Sequence, residues 1–262
     1  MTQVRAKKYL GQHFLKDLEV ARCIAESLTL SAPIDVLEIG PGMGVLTQFL
    51  VQNPNIRLKA VEIDAESVHY LRQHYPSLEV IEADFLKMDL KAHFSGKFCI
   101  IGNFPYNISS QIFFRMLDHR DQIPCLVGMI QKEVAERMAA RHGNKTYGIL
   151  SVLMQAFYSI DYLFTVHEHV FDPPPKVKSA VIRLTRNEVS SLECDEQLFK
   201  TVVKTAFNQR RKTMRNSLKP LLEKENPLYA DPVFDLRPEQ LNVAAFVELT
   251  NKLQTAIKSG KK

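Results

Sequence analysis

Apolar positions along the first two thirds of the chain fall into short unbroken runs. Between these runs lie stretches where apolar residues recur at helical spacing. "IDVLEIG" (34–40), "RLKAVEID" (57–64), "LEVIEAD" (78–84), "KFCIIGN" (97–103) and "PCLVGMIQ" (124–131) belong to the first kind. Runs this short and this uniformly apolar read as strands buried on both faces, the pattern of a parallel sheet. "DLEVARCIAESLTL" (17–30), "VLTQFLVQ" (45–52), "AESVHYLRQHY" (65–75), "SSQIFFRMLDH" (109–119, with a Ser at its cap) and "KEVAERMAAR" (132–141) read as helices. Further strands are expected near 155–166 and 178–185. This alternation predicts an α/β fold with a mostly parallel, Rossmann-like sheet. After about residue 186 the pattern changes. Amphipathic helices are expected over 195–209 and 243–258, with no strand between them. The reading is a domain over 1–190, opening with an arm over 1–16, and a small helical domain over 191–262.

Composition narrows the class. The net charge is +5 over 262 residues, and it is uneven. Residues 1–16 hold four bases and no acid, residues 17–185 hold 16 bases against 19 acids, and residues 186–262 hold 14 against 10. Positive charge at both ends suits a polyanionic partner held by the flanks. The longest apolar runs are too short to span a bilayer, and the N-terminus lacks the apolar segment of a signal peptide. A cytoplasmic protein without membrane association is expected, and a monomer, since no extended apolar seam is evident. Cys23, Cys99, Cys125 and Cys194 show neither C-x-x-C nor zinc spacing, so they read as buried free thiols and no metal is expected.

The strand ends carry the chemistry. "EIGPGMG" places Gly40, Gly42 and Gly44 between the first strand and the next helix, where doubly wound folds bind ligands. G-x-G-x-G fits neither the pyrophosphate fingerprint G-x-G-x-x-G nor a P-loop. The loop is therefore expected to cradle a nucleoside without phosphate. Glu62 ends the second strand and can accept both hydroxyls of a ribose. Asp84 ends the third, where a carboxylate can accept an exocyclic amine of adenine. Together these point to S-adenosylmethionine in a class I methyltransferase. Glu38 either reaches the methionine ammonium group or holds the loop.

The fourth strand ends in "NFPY" (103–106), an amide, a rigid turn and two rings where a polar loop is usual. Adenine N6 explains such a set. Its lone pair is delocalised into the ring, so the amine must be held with that pair aimed at the methyl. The Asn103 side-chain oxygen can accept one N–H, and the Phe104 carbonyl the other. Pro105 fixes the turn. Tyr106 can stack on a base taken out of its helix.

With these motifs stand "GQHFL" (11–15), "ADFL" (83–86), "NFPYNIS" (103–109), "QKEVAERM" (131–138), "FDPPPKVKSAVIRL" (171–184) and "FNQRRKTMRNSL" (207–218). The set, spread over nearly the whole chain, resembles the ribosomal RNA adenine dimethyltransferases, and among them the bacterial small-subunit family. That resemblance implies dimethylation of two adjacent adenosines near the 3′ end of 16S rRNA, late in small-subunit assembly. It implies a C-terminal helical head that helps recognise the subunit. Carried over by position, the cofactor contacts are His13, Leu15, Gly40, Glu62, Asp84 and Asn103. The family usually has Asn where His13 stands, Gly where Ala83 stands and an aliphatic residue at Phe104. Phe171 would stack on the second face of the target base. Arg210, Arg211, Lys212 and Arg215 suit a phosphate backbone. A macrolide-resistance-type enzyme acting on large-subunit rRNA, a DNA adenine methyltransferase and a non-catalytic RNA-binding factor on the same fold are the competing readings.

Overall fold

The computed structural model describes residues 4–259. Nine strands and ten α-helices occur among them. The N-terminal segment gives β1 (Phe14–Leu15) and α1 (Leu18–Glu26), the latter capped by Asp17, whose carboxylate accepts the backbone N–H groups of Glu19 and Val20. The alternating region follows as β2 (Ile34–Ile39), α2 (Thr47–Leu50), β3 (Ile56–Glu62), α3 (Ala65–His74), β4 (Glu79–Glu82), α4 (Leu90–His93), β5 (Phe98–Asn103), α5 (Ser109–Asp118), β6 (Cys125–Gln131) and α6 (Lys132–Ala139). Then come α7 (Ile149–Gln155), β7 (Tyr158–Val166), β8 (Phe171–Asp172), β9 (Ser179–Arg186), α8 (Glu196–Asn208), α9 (Met214–Ser217) and α10 (Val243–Ser259).

Seven strands form one sheet in the order β4-β3-β2-β5-β6-β9-β7. The pairs β2–β3, β2–β5, β3–β4 and β5–β6 are parallel, and β6–β9 is antiparallel. The central strands β5 and β6 are buried along almost their whole length, which is why their sequences are unbroken apolar runs. Edge strand β4 is nowhere fully buried. The sheet is the expected mostly parallel one. Ser109 is not the cap of α5: it is the first helical residue, buried, and its hydroxyl donates to the Tyr106 carbonyl at 3.2 Å. Only Cys99 among the four free cysteines is buried, and the other three are half-buried.

The chain forms two compact units. One runs to Ala135 and takes in Ser159–Arg186; the other comprises Glu136–Tyr158 and the chain from Asn187 onward. The single cut near 190 expected from the sequence therefore misses a crossing segment. Helix α7 and its flanks pack with the C-terminal helices: Tyr147 meets the Phe207 ring edge-on at 6.1 Å, and Phe207 lies 6.0 Å from Phe246. Phe199, Val203, Met214, Phe234 and Leu253 complete that second core.

A two-stranded sheet outside the main one was not foreseen. β1 pairs antiparallel with β8, setting Phe14 against Asp172 and Leu15 against Phe171. It joins the "GQHFL" segment to the start of "FDPPP". The same arm is anchored at Lys7, whose ammonium pairs with Asp64 and, at 3.0 Å, with Glu66.

Candidate active site

A cleft opens beyond the carboxyl ends of β2, β3, β4 and β5. Gly40, Gly42, Glu62, Asp84, Asn103, Phe104, Pro105 and Tyr106 line it, closed over by His13 and Phe14 of the arm. An adjoining cavity shares Gly40, Asn103 and Phe14 with it and adds Glu38 and Gly44. Most of the residues singled out by sequence are therefore brought together. Leu15 lines the adjoining cavity with Glu38, Gly40, Gly44 and Asn103, whereas Phe171 lines neither. Phe171 is 1% exposed and packs with Leu15, Val166 and Val170 in the apolar core. The β1–β8 pairing turns the Phe171 side chain inward, so no face of its ring is open to a base in this conformation.

The glycine loop is shaped by what lies over it. Gly42 and Gly44 have φ of 56° and 79°, a region costly for other residues. A Cβ on Gly42 would lie 2.9 Å from the Phe14 ring, and one on Gly44 2.6 Å from Tyr75. Tyr75, which the sequence did not mark, donates its hydroxyl to the Gly44 carbonyl at 3.2 Å. The loop is tied to Glu62: Gly42 N–H donates to its carboxylate at 3.1 Å, and the N–H groups of Ile63 and Asp64 donate at 2.8 and 2.9 Å. Glu62 is 4% exposed, and burial pushes its carboxyl above the usual range against those three bonds. A carboxylate has about four acceptor positions. Glu62 as placed thus retains room for one further donor, where the sequence suggested two. Asp84 is half-buried and accepts the Leu86 N–H at 2.9 Å, which fixes one carboxylate oxygen and leaves the other toward Lys87 at 3.6 Å.

Glu38 is 1% exposed. One carboxylate oxygen accepts the Thr47 hydroxyl at 2.7 Å, and the other is buried without a hydrogen-bond partner among the described residues. Burial, the largest influence, pushes this carboxyl up to about 7, with the Thr47 bond opposing and the charge of Glu62 adding to it. A buried acceptor lacking a donor beside an open glycine turn fits a ligand that brings a cationic donor. The sign for stability follows from linkage. A carboxyl whose pKa rises on folding binds more protons folded than unfolded between 4.5 and about 7, so stability falls as pH rises through that window. The loss amounts to roughly 3 kcal/mol. Glu38→Gln is expected to flatten this slope and to be more stable than wild type at pH 8, read by urea unfolding at pH 5 and pH 8 without added ligand.

The "NFPY" turn is held by its second residue. Phe104 is 1% exposed, not at the surface, and its ring sits between Gly102 and Gly128. A Cβ on either glycine would lie 2.8 Å or 2.4 Å from that ring. The ring also meets Phe113 edge-on at 6.1 Å, and the Phe104 N–H donates to the Met129 carbonyl. Asn103 donates its side-chain N–H to the His13 carbonyl at 3.0 Å, which turns the amide so that its oxygen remains an acceptor. Tyr106 is half-buried. Its hydroxyl bonds the Ser179 hydroxyl at 2.5 Å, and its ring stacks on His13 with centroids 5.6 Å apart. Ser179, buried at the start of β9, is a second residue the sequence did not single out. Its short separation from "FDPPP" was the only signal.

In the second unit the basic run occupies a turn between α8 and α9. Arg211 and Lys212 are exposed there. Arg210 donates to the Asn144 carbonyl at 3.3 Å. Arg215 pairs with Asp235 at 2.8 Å and lies over the Tyr229 ring at 5.9 Å, so its charge is compensated locally.

A mostly parallel seven-stranded sheet with a G-x-G-x-G turn, acids at the following strand ends and an N-x-P-Y turn defines a class I methyltransferase. Residues 3–252 match the family described as "Ribosomal RNA adenine dimethylase". The chain is 63% identical over 262 residues to the ribosomal RNA small subunit methyltransferase A of Phocaeicola vulgatus, covering 99% of this chain and 93% of that protein. It is 65% identical over 252 residues to the protein of the same name from Parabacteroides distasonis, covering 95% and 94%. Among solved structures it resembles a dimethyladenosine transferase from Plasmodium falciparum (TM-score 0.77, 26% identity, 93% and 98% covered). It also resembles the 23S rRNA methyltransferase ErmE (TM-score 0.68, 26% identity, 91% and 99% covered). The chain belongs to the ribosomal RNA adenine dimethylase family. It is an enzyme that uses S-adenosylmethionine to dimethylate adenine in ribosomal RNA. Among the described residues, no helix is long and apolar enough to cross a membrane.

Proposed function

We propose that the protein dimethylates N6 of two adjacent adenosines near the 3′ end of 16S rRNA, within the small ribosomal subunit and late in its assembly, acting as a cytoplasmic monomer. The observation that carries this reading is the orientation of the Asn103 amide, whose nitrogen is engaged by the His13 carbonyl while its oxygen remains an acceptor in the cleft. Near-full-length identity above 60% to proteins named for the small subunit supports the choice of subunit.

S-adenosylmethionine supplies a methyl group on a positively charged sulfur. Gly40, Gly42, Glu62 and Asp84 would hold its nucleoside end, with Glu62 accepting one ribose hydroxyl, and the unpartnered oxygen of Glu38 would meet its ammonium group. His13 takes part through its backbone carbonyl, which sets Asn103. Leu15 acts from the core by fixing the arm. Asn103 Oδ1 accepts one N–H of the target amine and the Phe104 carbonyl the other, so the nitrogen lone pair faces the methyl donor. Pro105 stiffens the turn, and Tyr106 stacks on the base. No proton has to be removed before transfer, so most of the rate gain is positioning, with stabilisation of developing positive charge added. As the methyl–sulfur bond gives way to the methyl–nitrogen bond, the nitrogen takes on the positive charge and then releases one proton to water; the methylated amine keeps one N–H, enough for either acceptor, and the second transfer reuses the same site. Two adenosines need four transfers. Phe171 contributes as a second stacking ring only if the β1–β8 layer opens.

The test is methyl transfer from labelled S-adenosylmethionine to unmethylated small subunits, with naked rRNA, large subunits and duplex DNA in parallel. N6,N6-dimethyladenosine from small subunits alone is the expected result. Label in large subunits or DNA instead would reassign the substrate. Arg211 and Lys212 supply most of the RNA-facing charge of the basic turn, with Arg210 beside them. Replacing all three by Ala is expected to reduce the slope of log affinity against log salt by about 2, while Arg215→Ala, already paired, leaves it nearly unchanged. Subunit binding measured between 50 and 200 mM salt distinguishes the two.

A further inference from the structure

Tyr106 is to stack on the target base, yet one face of its ring is already covered. The His13 imidazole lies against it at 5.6 Å between centroids and 29° between planes, an offset stack. The same imidazole is tethered on its other side: its Nδ1 lies 2.7 Å from the Pro173 carbonyl. A carbonyl only accepts, so Nδ1 carries the proton and donates. Pro173 follows the β8 residues Phe171 and Asp172. The His13 ring thus bridges the two segments, the "NFPY" turn and the "FDPPP" loop, that supply the rings the sequence assigned to the target base.

Three further observations separate the ring from the rest of the site. The His13 backbone carbonyl, not its ring, holds Asn103. The Tyr106 ring has its own anchor in Ser179, at 2.5 Å, and does not need His13 to fix its tilt. The flat-face contact of the imidazole is one a purine also makes with an aromatic ring, and its edge hydrogen bond to Pro173 is exposed, so water can take over that carbonyl. A half-buried ring on the arm, held by one stack and one hydrogen bond, is also cheap to displace.

From this, and resting on the proposed stacking of the target adenine on Tyr106, we infer that His13 is a placeholder: its imidazole occupies the base's face of Tyr106 in the substrate-free enzyme and is exchanged for the adenine on binding. It is a positioning and specificity-determining residue, not a catalytic one. The Tyr106 face stays covered until a flat group able to stack on it evicts the imidazole.

Two readouts test this together. In methyl transfer to small subunits, His13→Ala removes the competitor but leaves the carbonyl that sets Asn103. KM for subunits is expected to fall about fivefold, the worth of one ring-stacking contact. His13→Phe keeps a ring on Tyr106 that the base displaces less readily, and KM is expected to rise. A merely structural His13 would raise KM in both variants, and that result overturns the inference. The second readout is the ring-proton spectrum of His13 in the complex with S-adenosylhomocysteine, assigned by its absence in His13→Ala. Its resonances, shifted by the Tyr106 ring, are expected to move to the unstacked position as an adenosine-containing single-stranded oligonucleotide is added. Tyr106 resonances that move while those of His13 stay would mean the base uses the other face, and an unmoved Tyr106 would mean it uses neither; both overturn the placeholder. Absence of transfer to small subunits by wild type would remove the substrate reading instead, and the ring spectrum then decides this inference alone.

Discussion

Asn103→Ala is expected to lower kcat for methyl transfer at least about a thousandfold while S-adenosylmethionine affinity stays within about tenfold of wild type. The substitution removes the acceptor that aims the target amine, and it removes the N–H held by His13. Neither loss touches Glu62 or the glycine turn, which carry the nucleoside end, so binding and turnover should separate. Single-turnover transfer to small subunits and equilibrium dialysis with labelled cofactor measure the two. Asn103→Asp is the informative companion. It keeps an acceptor but sets a carboxylate oxygen against the His13 carbonyl, and an intermediate rate is expected. Wild-type turnover in Asn103→Ala would remove this side chain from the mechanism.

The second large effect is steric and sits behind the site. Gly128→Val places a Cβ where 2.4 Å separates it from the Phe104 ring. Valine suits a central strand by propensity, so the expected cost comes from the clash and not from the strand. Overpacking of this severity costs about 3 kcal/mol, which lowers the melting temperature by roughly 10 °C in a chain of this size. The ring cannot leave its seat without moving the turn, so transfer is expected to fall at least about a hundredfold even well below the melting temperature. Gly96→Ala, where nothing lies within 4 Å of the added carbon, is the control and should match wild type in both thermal unfolding and rate. Full activity in Gly128→Val would mean that the turn does not depend on how Phe104 is seated.

What was legible in the sequence follows one rule. Gly40, Glu62, Asp84 and Asn103 could be placed because each ends a strand, and parallel strands in register bring their carboxyl ends to one edge without further information. The cleft's floor is therefore written locally. Its roof is not. That Phe104 is buried between two glycines depends on β6, which lies a helix away in sequence, and the run "NFPY" reads the same whether the ring is in or out. The resemblance assigns Phe171 a stacking contact, but the β1–β8 pairing faces its ring into the core. A two-residue strand has no periodicity to detect. The crossing of 136–158 into the second unit escaped for a similar reason: Tyr147 and α7 are apolar enough for either core, and only the partner decides.

The pairing of β1 with β8 has a consequence for how the enzyme comes into being. His13 and Pro173 are 160 residues apart, and Asn103 and His13 are 90 apart. Every strand end that cradles the nucleoside has left the ribosome before the arm's partner is even translated. The nascent chain can fold β2 to β5 as it emerges, but the arm has to wait for Phe171 and Asp172, and closing so long a loop is entropically slow. Cofactor capture then waits until the chain has passed Asp172, and a ribosome-stalled chain ending before Phe171 is expected to hold S-adenosylmethionine far more weakly than one released just past Ser179.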